Sequence, residues 1–358
     1  MKDALAPGSV IGILGGGQLG RMLALAGAEL GFDVHVYDPE PDCPAARVSG
    51  RAWAAPWTDK GAVQGFADRC DAITYEFENV PVEAVSVASE VSSLRPGARS
   101  LELTQDRVVE KTFINEAGAA TVPFAAIADL TDLHQAVGVI GLPAVLKTRR
   151  FGYDGKGQAW IRSADAIETA WDAIGRQPAI LEGAAGFTRE LSIVAARGMD
   201  GSVKAYPLVE NIHRDGILKT STAPAPGISS QVQSRANEIA HAIGTGLDHV
   251  GVFAVELFEL EGGALLVNEI APRVHNTGHW TQDACACSQF EQHMRAVAGW
   301  TLGDPTPHSA CVMTNLIGHE ADDWAQLLED PHCRLHLYGK RQTKPGRKMG
   351  HINQLGRL

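Results

Sequence analysis

Positive charge is in deficit in this chain. Its 358 residues include 31 Lys or Arg against 42 Asp or Glu, a formal net charge of −11. A general nucleic-acid footprint is therefore excluded, and any local basic cluster reads as an anion site. No apolar run reaches membrane length, and Met1-Lys2-Asp3-Ala4 lacks the signal-peptide pattern. No membrane association is expected, and a cytoplasmic location is. Cysteine is sparse too: the six at 43, 70, 285, 287, 311 and 333 show no zinc spacing. Cys285 and Cys287 are too close for a relaxed disulfide within a helix, so reduced thiols are expected throughout. The remainder, 45% apolar and 20% charged, is ordinary globular composition with length for two or three cores.

What is present begins with a glycine loop. Residues 10–14 form a short apolar strand running into Gly15-Gly16-Gly17-Gln18-Leu19-Gly20, and apolar positions at 19, 22, 23, 26 and 30 then follow helical spacing. Residues 32–37 make a second strand ending at Asp38. The series matches a dinucleotide fingerprint. Its physics is less particular, because glycines let backbone approach any phosphate at a helix N-terminus. A dinucleotide, a phosphorylated substrate and a ligand-free tight turn all satisfy it. Another strand, residues 72–75, ends in Glu76-Phe77-Glu78-Asn79, acceptors placed where open α/β sheets bind ligands. Ribose hydroxyls would suit them; a solvated loop would look the same. Residues 93–107 read as a boundary, and a helix over 106–116 leads through 122–127 into a new domain.

Farther along, residues 251–258 read as a strand with Glu256 interrupting an apolar run, and a second apolar run delivers Asn268 and Glu269. Glu261-Gly262-Gly263 between them is a hairpin turn. Folding there sets Glu256 nearly opposite Glu269. Two carboxylates so placed repel unless a cation sits between them. Oxygen ligands select a hard divalent ion, and Mg²⁺ held by few carboxylates also takes phosphate oxygens. A Mg-nucleotide site is the reading; two surface carboxylates flanking a hairpin are the bland alternative. A basic, imidazole-rich loop follows: Arg273-Val274-His275-Asn276-Thr277-Gly278-His279.

The central region adds nucleotide signals of its own. Residues 144–147 form a strand presenting Lys147, and Phe151-Gly152-Tyr153-Asp154-Gly155-Lys156-Gly157-Gln158 follows. Such a glycine-rich segment can fold over a triphosphate. It is no Walker A loop, since no Gly-Lys-Ser/Thr and no helix follow; a plain hairpin loop is the alternative. Ile180-Leu181-Glu182-Gly183-Ala184 is a strand meeting a small-residue turn, and Glu190 opens another strand. His213 precedes the turn Arg214-Asp215-Gly216 and carries little weight alone. Lys340, Arg341, Lys344, Arg347 and Lys348 crowd around Pro345-Gly346. A solvated basic tail is the usual explanation, but the apolar Met349 and Ile352 argue for an ordered turn suited to a phosphate.

The order of these pieces resembles the ATP-grasp superfamily. The segment 151–158, the run 268–281 and Lys344-Pro345-Gly346-Arg347-Lys348-Met349-Gly350-His351 resemble, within it, the 5-(carboxyamino)imidazole ribonucleotide synthase family, over about residues 10–355. One departure from the wider superfamily is Ala271, where many members carry a metal-binding Asn. The particular family tolerates alanine there, so Glu256 and Glu269 must hold metal with fewer protein ligands. The resemblance implies an α/β (α+β overall) protein of ATP-grasp fold. An N-terminal parallel α/β domain would span 1–105. A two-lobed ATP-binding region would span 106–300, with a flap lobe over about 122–187 and a metal-binding lobe, both on antiparallel sheets. A small strand-rich C-terminal domain with a phosphate clamp would span 301–358.

It also assigns roles. Arg107 and Lys147 would contact ATP phosphates, with Gly152, Tyr153, Asp154, Gly155, Lys156, Gly157 and Gln158 closing over them. Glu182, Gly183, Ala184 and Ala185 would bracket adenine, Glu190 would take the ribose hydroxyls, and His213 would line the pocket. Asn268 and Glu269 would lie against the triphosphate, with Mg²⁺ or Mn²⁺ on Glu256 and Glu269. Gln18, Leu19, Glu76, Tyr153, Asn276, Lys340, Arg347 and Lys348 would hold a ribonucleotide. Asp154, Lys156, Arg273 and His275 would act on it, Asp154 or His275 accepting the amine proton.

The implied reaction is ATP- and bicarbonate-dependent carboxylation of the exocyclic amine of 5-aminoimidazole ribonucleotide in purine biosynthesis, through carboxyphosphate, by a homodimer. On this reading the first glycine loop is a substrate crevice without NAD. The alternatives are a formate-dependent glycinamide ribonucleotide transformylase, a dinucleotide oxidoreductase and a non-catalytic nucleotide-binding protein.

Overall fold

The computed structural model describes residues 4–152 and 157–358. Tyr153, Asp154, Gly155 and Lys156, four of the expected site residues, lie outside the described residues.

The N-terminal unit is built on a five-stranded, all-parallel sheet. Its strands run Arg51–Trp53, Asp33–Tyr37, Val10–Leu14, Ala72–Tyr75, Ser93–Leu94 across the sheet. Ile11, Ile13 and Leu14 are fully buried because helices cover both faces. Helix Gln18–Glu29 turns Leu19, Met22, Leu23 and Ala26 inward, as the apolar spacing predicts. The chain order reverses about Val10–Leu14, so the crevice at its carboxyl end lies between the glycine loop and the turn after Tyr75. Residues 93–107 are more structured than a linker, holding strand Ser93–Leu94 and helix Ala98–Thr104.

Two antiparallel sheets follow. The smaller has the order Phe124–Ile127, Ala179–Gly183, Ala144–Thr148, Gln158–Ile161. The larger is nine-stranded. It runs from Leu265–Ala271 through Gly251–Leu260, Phe187–Arg197, Val209–Arg214 and Ile217–Ala223 to Ala310–Ile317, Lys348–Gly356 and Cys333–Leu337, with Val203–Ala205 pairing beside Phe187–Arg197. The C-terminal strands thus extend this sheet and form no sheet of their own. Glu190 sits within strand Phe187–Arg197, not at its start.

Helix Arg107–Glu116 joins the units and packs against strand Leu265–Ala271. Helix Gln289–Val297 is wedged between the parallel and large sheets. Its Phe290, Met294 and Val297 share one core with Ile11, Ile13, Val252 and Ala254. All six cysteines are free thiols. Cys285 and Cys287 lie between two helices and not within one. Among the described residues no helix is long and apolar enough to cross a membrane.

Candidate active site

The hairpin that carries the acidic pair forms as its turn residues require. Gly262 and Gly263 both have positive φ, +83° and +84°, which glycine adopts without strain. The turn puts Glu256 in register with Glu269. The next pair is Leu257 with Val267, so Asn268 is the extra residue of a β-bulge. A bulge re-aims side chains that a regular pleat would send to opposite faces. Here Asn268 Nδ2 lies 3.5 Å from Glu256 Oε2. Asn268 and Glu269 therefore serve one site although they are neighbours in sequence.

The two carboxylates are electrostatically unequal. Burial, then the facing Glu269, pushes Glu256 up to about 7. Burial would raise Glu269 as well, but Arg107 outweighs it and holds that carboxyl down at about 2. Arg107 Nη1 donates to Glu269 Oε2 at 2.8 Å, and Nη2 donates to Gly152 O at 3.1 Å. The same guanidinium thus reaches strand Leu265–Ala271 and the start of the glycine-rich segment. It is placed by Asp106, whose side chain caps the helix at Val108 N and Val109 N and also pairs with Arg149 and Arg150.

Lys147 donates to Glu182 Oε2 at 2.8 Å. A second lysine, Lys111, lies behind the same carboxylate, 3.5 Å from Oε1, and donates to Asn268 O at 3.0 Å. Burial would raise Glu182, but Lys147 and Lys111 together hold it low. Gly183 N and Ala184 N are bound by Pro123 O and Pro143 O, with Ala185 next in the chain. Gly157 and Gln158 are anchored on the lysine strand, through Thr148 N to Gly157 O at 2.8 Å and the pairing of Gln158 with Lys147. Glu190 and His213 form an ion pair, and that pair raises the imidazole against burial.

Arg273, His275 and Asn276, expected on the substrate side, directly follow strand Leu265–Ala271. Arg273 pairs with Glu78, which stays ionised against its burial because of that arginine. His275 is depressed to about 3 by burial, then by Arg273 and Lys348. It is a neutral imidazole at physiological pH, with Nε2 3.5 Å from Glu256 Oε1 and Nδ1 3.0 Å from Thr277 Oγ1. Asn276 exchanges reciprocal amide bonds with buried Asn315 at 3.0 and 2.8 Å. Lys340 donates to Lys348 O at 2.7 Å, and Arg347 to Gln342 O at 2.9 Å.

At the first glycine loop the amides are already taken. Glu76 Oε1 accepts from Gly17 N at 2.8 Å and Oε2 from Gly20 N at 3.0 Å, while Asp38 Oδ2 accepts from Gly16 N at 2.7 Å. A Cβ added at Gly17 would lie 2.5 Å from Glu76 Oε1, and one at Gly16 would lie 2.1 Å from Cys43 Sγ. These glycines make room for protein side chains, and a dinucleotide pyrophosphate has no place there. Gln18 and Leu19 open the helix beside this turn.

An all-oxygen donor set of Glu256, Glu269 and the Asn268 amide fits a hard divalent ion. Among the described residues no group of three or more His, Cys, Asp or Glu could hold a metal unaided. That is the situation in which Mg²⁺ draws its remaining ligands from phosphate and water. Sequence reasoning missed Lys111, Asp106 and the pairing of Glu78 with Arg273. Only Glu78 carried a signal, as part of the acidic run after residue 75.

Three family models match the chain: a ribonucleotide synthetase preATP-grasp domain over residues 9–105, an ATP-grasp domain over 112–290, and a phosphoribosylaminoimidazole carboxylase C-terminal domain over 311–357. N5-carboxyaminoimidazole ribonucleotide synthase of Brucella melitensis is 49% identical over 99% of this chain and 98% of its own length. The crystal structure of the synthetase from Thermus thermophilus is 46% identical over 96% of this chain and 93% of that one, with a TM-score of 0.91. That of the Aspergillus clavatus synthase, in complex with ADP and 5-aminoimidazole ribonucleotide, is 30% identical over 98% and 94%, with a TM-score of 0.92.

Proposed function

The chain belongs to the N5-carboxyaminoimidazole ribonucleotide synthase family, and from that premise we propose how its own residues carboxylate 5-aminoimidazole ribonucleotide with ATP and bicarbonate. The observation that carries the reading is the register of Glu256 with Glu269, one carboxylate neutralised by Arg107 and the other beside the neutral imidazole of His275.

Arg107 and Lys147 take the ATP phosphates, each exchanging for them the carboxylate with which it pairs, Glu269 or Glu182. Residues 182–185 are the adenine hinge: Glu182, Gly183, Ala184 and Ala185 bracket the base, Glu190 accepts from the ribose hydroxyls, and His213 lines the pocket. Glu256 and Glu269 would hold Mg²⁺, which would supply positive charge to offset that of the phosphates. Bicarbonate attacks the γ-phosphate, giving carboxyphosphate and ADP. Arg273, its guanidinium fixed by Glu78, offsets the accumulating negative charge without reorganising. The exocyclic amine then takes the carboxyl group, by attack on the carbon of carboxyphosphate or on CO₂ released from it; the carbon–oxygen bond to phosphate breaks, and inorganic phosphate leaves. Asp154 or His275 accepts the amine proton. Gly152, Gly157 and Gln158 contribute to covering the labile intermediate and excluding water. Gln18, Leu19, Tyr153, Asn276, Lys340, Arg347 and Lys348 surround the ribonucleotide, with Glu76 bracing the turn beneath it. A cytoplasmic homodimer belongs to the same proposal.

Phosphate release from Mg-ATP and bicarbonate tests it. Aminoimidazole ribonucleotide should stimulate release in the wild type, and Glu269→Gln should abolish the stimulation. Stimulation by glycinamide ribonucleotide with formate instead would retain the fold and overturn the substrate. Nucleotide binding without turnover would make the chain a binding protein.

A further inference from the structure

The loop that carries His275 and Asn276 past the acidic pair has little regular structure of its own. Its only helical part is the three-residue 3-10 turn Asn276–Gly278, too short to fix its own ends. A side chain from outside the loop anchors it. Gln289 is the first residue of helix Gln289–Val297 and is completely buried. Its Oε1 accepts from His275 N at 2.9 Å, and its Nε2 donates to His275 O at 2.7 Å. Two strand residues exchange the same pair of bonds across a sheet, and here a side-chain amide supplies one partner. His275 is accordingly extended, with φ −127° and ψ 152°. The helix grips the loop a second time through Thr281, whose Oγ1 accepts from Gln289 N at 2.9 Å and donates to Gly278 O at 2.6 Å. A Cβ at Gly278 would lie 2.6 Å from Gln289 Oε1, so a glycine is what lets the loop lie on that amide.

Only one orientation of the amide serves. The second hydrogen on Nε2 goes to His279 Nδ1, 3.0 Å away. Turned by 180°, the amide would set its nitrogen against His275 N–H and its oxygen against His275 O and His279 Nδ1. Three repulsions would replace three bonds. Burial, then the neighbouring His275, holds His279 well below the ordinary histidine range, so the ring is neutral and its Nδ1 can accept. The ring is itself fixed, with its centroid 4.8 Å from that of His351 and 5.4 Å from that of Phe290. Asn353 Nδ2 donates to His279 O at 3.1 Å. Farther along the helix, His293 bonds Thr74 Oγ1 at 2.7 Å, on the strand that ends at Tyr75. One helix therefore holds both the His275 loop and the sheet whose turn after Tyr75 borders the substrate crevice.

We propose that Gln289 is a positioning residue for the carboxylation: its amide, oriented by His279, fixes the His275 backbone so that the imidazole stands beside Glu256. The inference rests on the reading above that places His275 at the reacting centre, and adds the residue through which the fold aims it. With N and O of His275 both tied to Gln289, its φ and ψ are set and only the side-chain torsions remain free. The ring then lies with Nε2 3.5 Å from Glu256 Oε1 and Nδ1 3.0 Å from Thr277 Oγ1.

The test is a double-mutant cycle in the full chain, with Gln289→Leu made in wild type and in His275→Ala. In wild type the substitution should lower kcat by about 10- to 100-fold, the usual effect of a misplaced reacting group, with KM for ATP little changed. In His275→Ala it should cost almost nothing more, because the residue it aims is gone. Equal losses in both backgrounds overturn the proposal and make Gln289 a structural staple. An unchanged kcat overturns it as well. Gln289→Asn keeps an amide one methylene shorter and should show a smaller kcat loss that also vanishes in His275→Ala; it carries the same decision if Gln289→Leu does not fold. If His275→Ala turns over as wild type does, or aminoimidazole ribonucleotide fails to stimulate the wild type, the reading of the site has failed separately. Histidine-selective NMR then decides the positioning. The resonance missing from His275→Ala should shift in the Gln289 variant that folds; one that stays in place overturns the proposal.

Discussion

Glu256 and Glu269 face each other across neighbouring antiparallel strands, with Asn268 bulged out beside them. The pair is held at the edge of what two close carboxylates tolerate, since Arg107 neutralises only Glu269. Replacing Glu256 by Gln removes a repulsion between the two carboxylates. The melting temperature of Glu256→Gln should therefore stay level or rise, while kcat/KM falls by about 100-fold or more through loss of a metal ligand. Calorimetry beside steady-state kinetics checks both; a destabilised variant that keeps its activity would contradict the assignment.

Lys111 is 1% exposed and Glu182 is 5% exposed. If Lys147 exchanges Glu182 for a phosphate, as proposed, Lys111 still pairs with that carboxylate. Lys111→Met breaks a buried pair, and such losses cost about 3–5 kcal/mol. It should also raise KM for ATP, because Glu182 would hold Lys147 more tightly. Adding Glu182→Gln should restore part of the stability, a non-additivity that a double-mutant cycle measures. Additive losses would show that the two residues act independently.

Acid should loosen the seam between the parallel and large sheets. His293 bonds Thr74 Oγ1 at 2.7 Å and accepts from Val252 N at 3.0 Å; His249 bonds Ser100 Oγ and Val252 O. Burial lowers His249 to about 4 and His293 to about 3, from 6.5. The unfolded chain takes up these protons below 6.5 and the folded chain does not. Their contribution is thus intact above 6.5 and is lost as the pH falls, by about 1.4 kcal/mol per pH unit for each histidine. Melting temperatures between about pH 7 and about pH 5 should fall less steeply in His293→Gln than in wild type. Parallel slopes would rule out the titration.

The glycine loop should not bind a dinucleotide, because Glu76 and Asp38 occupy its amides. NADH fluorescence should be unchanged on mixing with the protein. A blue-shifted, enhanced emission that ATP does not displace would reopen the oxidoreductase reading.

The sequence carried the acidic hairpin well, because turn chemistry at Gly262 and Gly263 fixes register and register places Glu256 against Glu269. The order of lysine strand, glycine-rich segment and hinge strand was equally legible. Long-range pairing was not. The bulge at Asn268 depends on the partner strand, and a period-two reading would send Asn268 and Glu269 to opposite faces. Lys111 reads as a solvated helix cation until Glu182 and Asn268 O close around it. Glu76 reads as a ligand acceptor until its carboxylate is found on amides from a segment far earlier in the chain. The C-terminal strands could not be assigned to the large sheet from local pattern, since alternation says nothing of which edge a strand joins.

The central claim is that bicarbonate is the nucleophile toward ATP. Turnover with ¹⁸O-labelled bicarbonate, Mg-ATP and aminoimidazole ribonucleotide tests it most directly, with inorganic phosphate read by mass spectrometry. An oxygen from bicarbonate should appear in the phosphate with each turnover, because the bond that breaks in carboxyphosphate is the one between carbon and the bridging oxygen. Phosphate released without label while the amine is carboxylated would contradict the account.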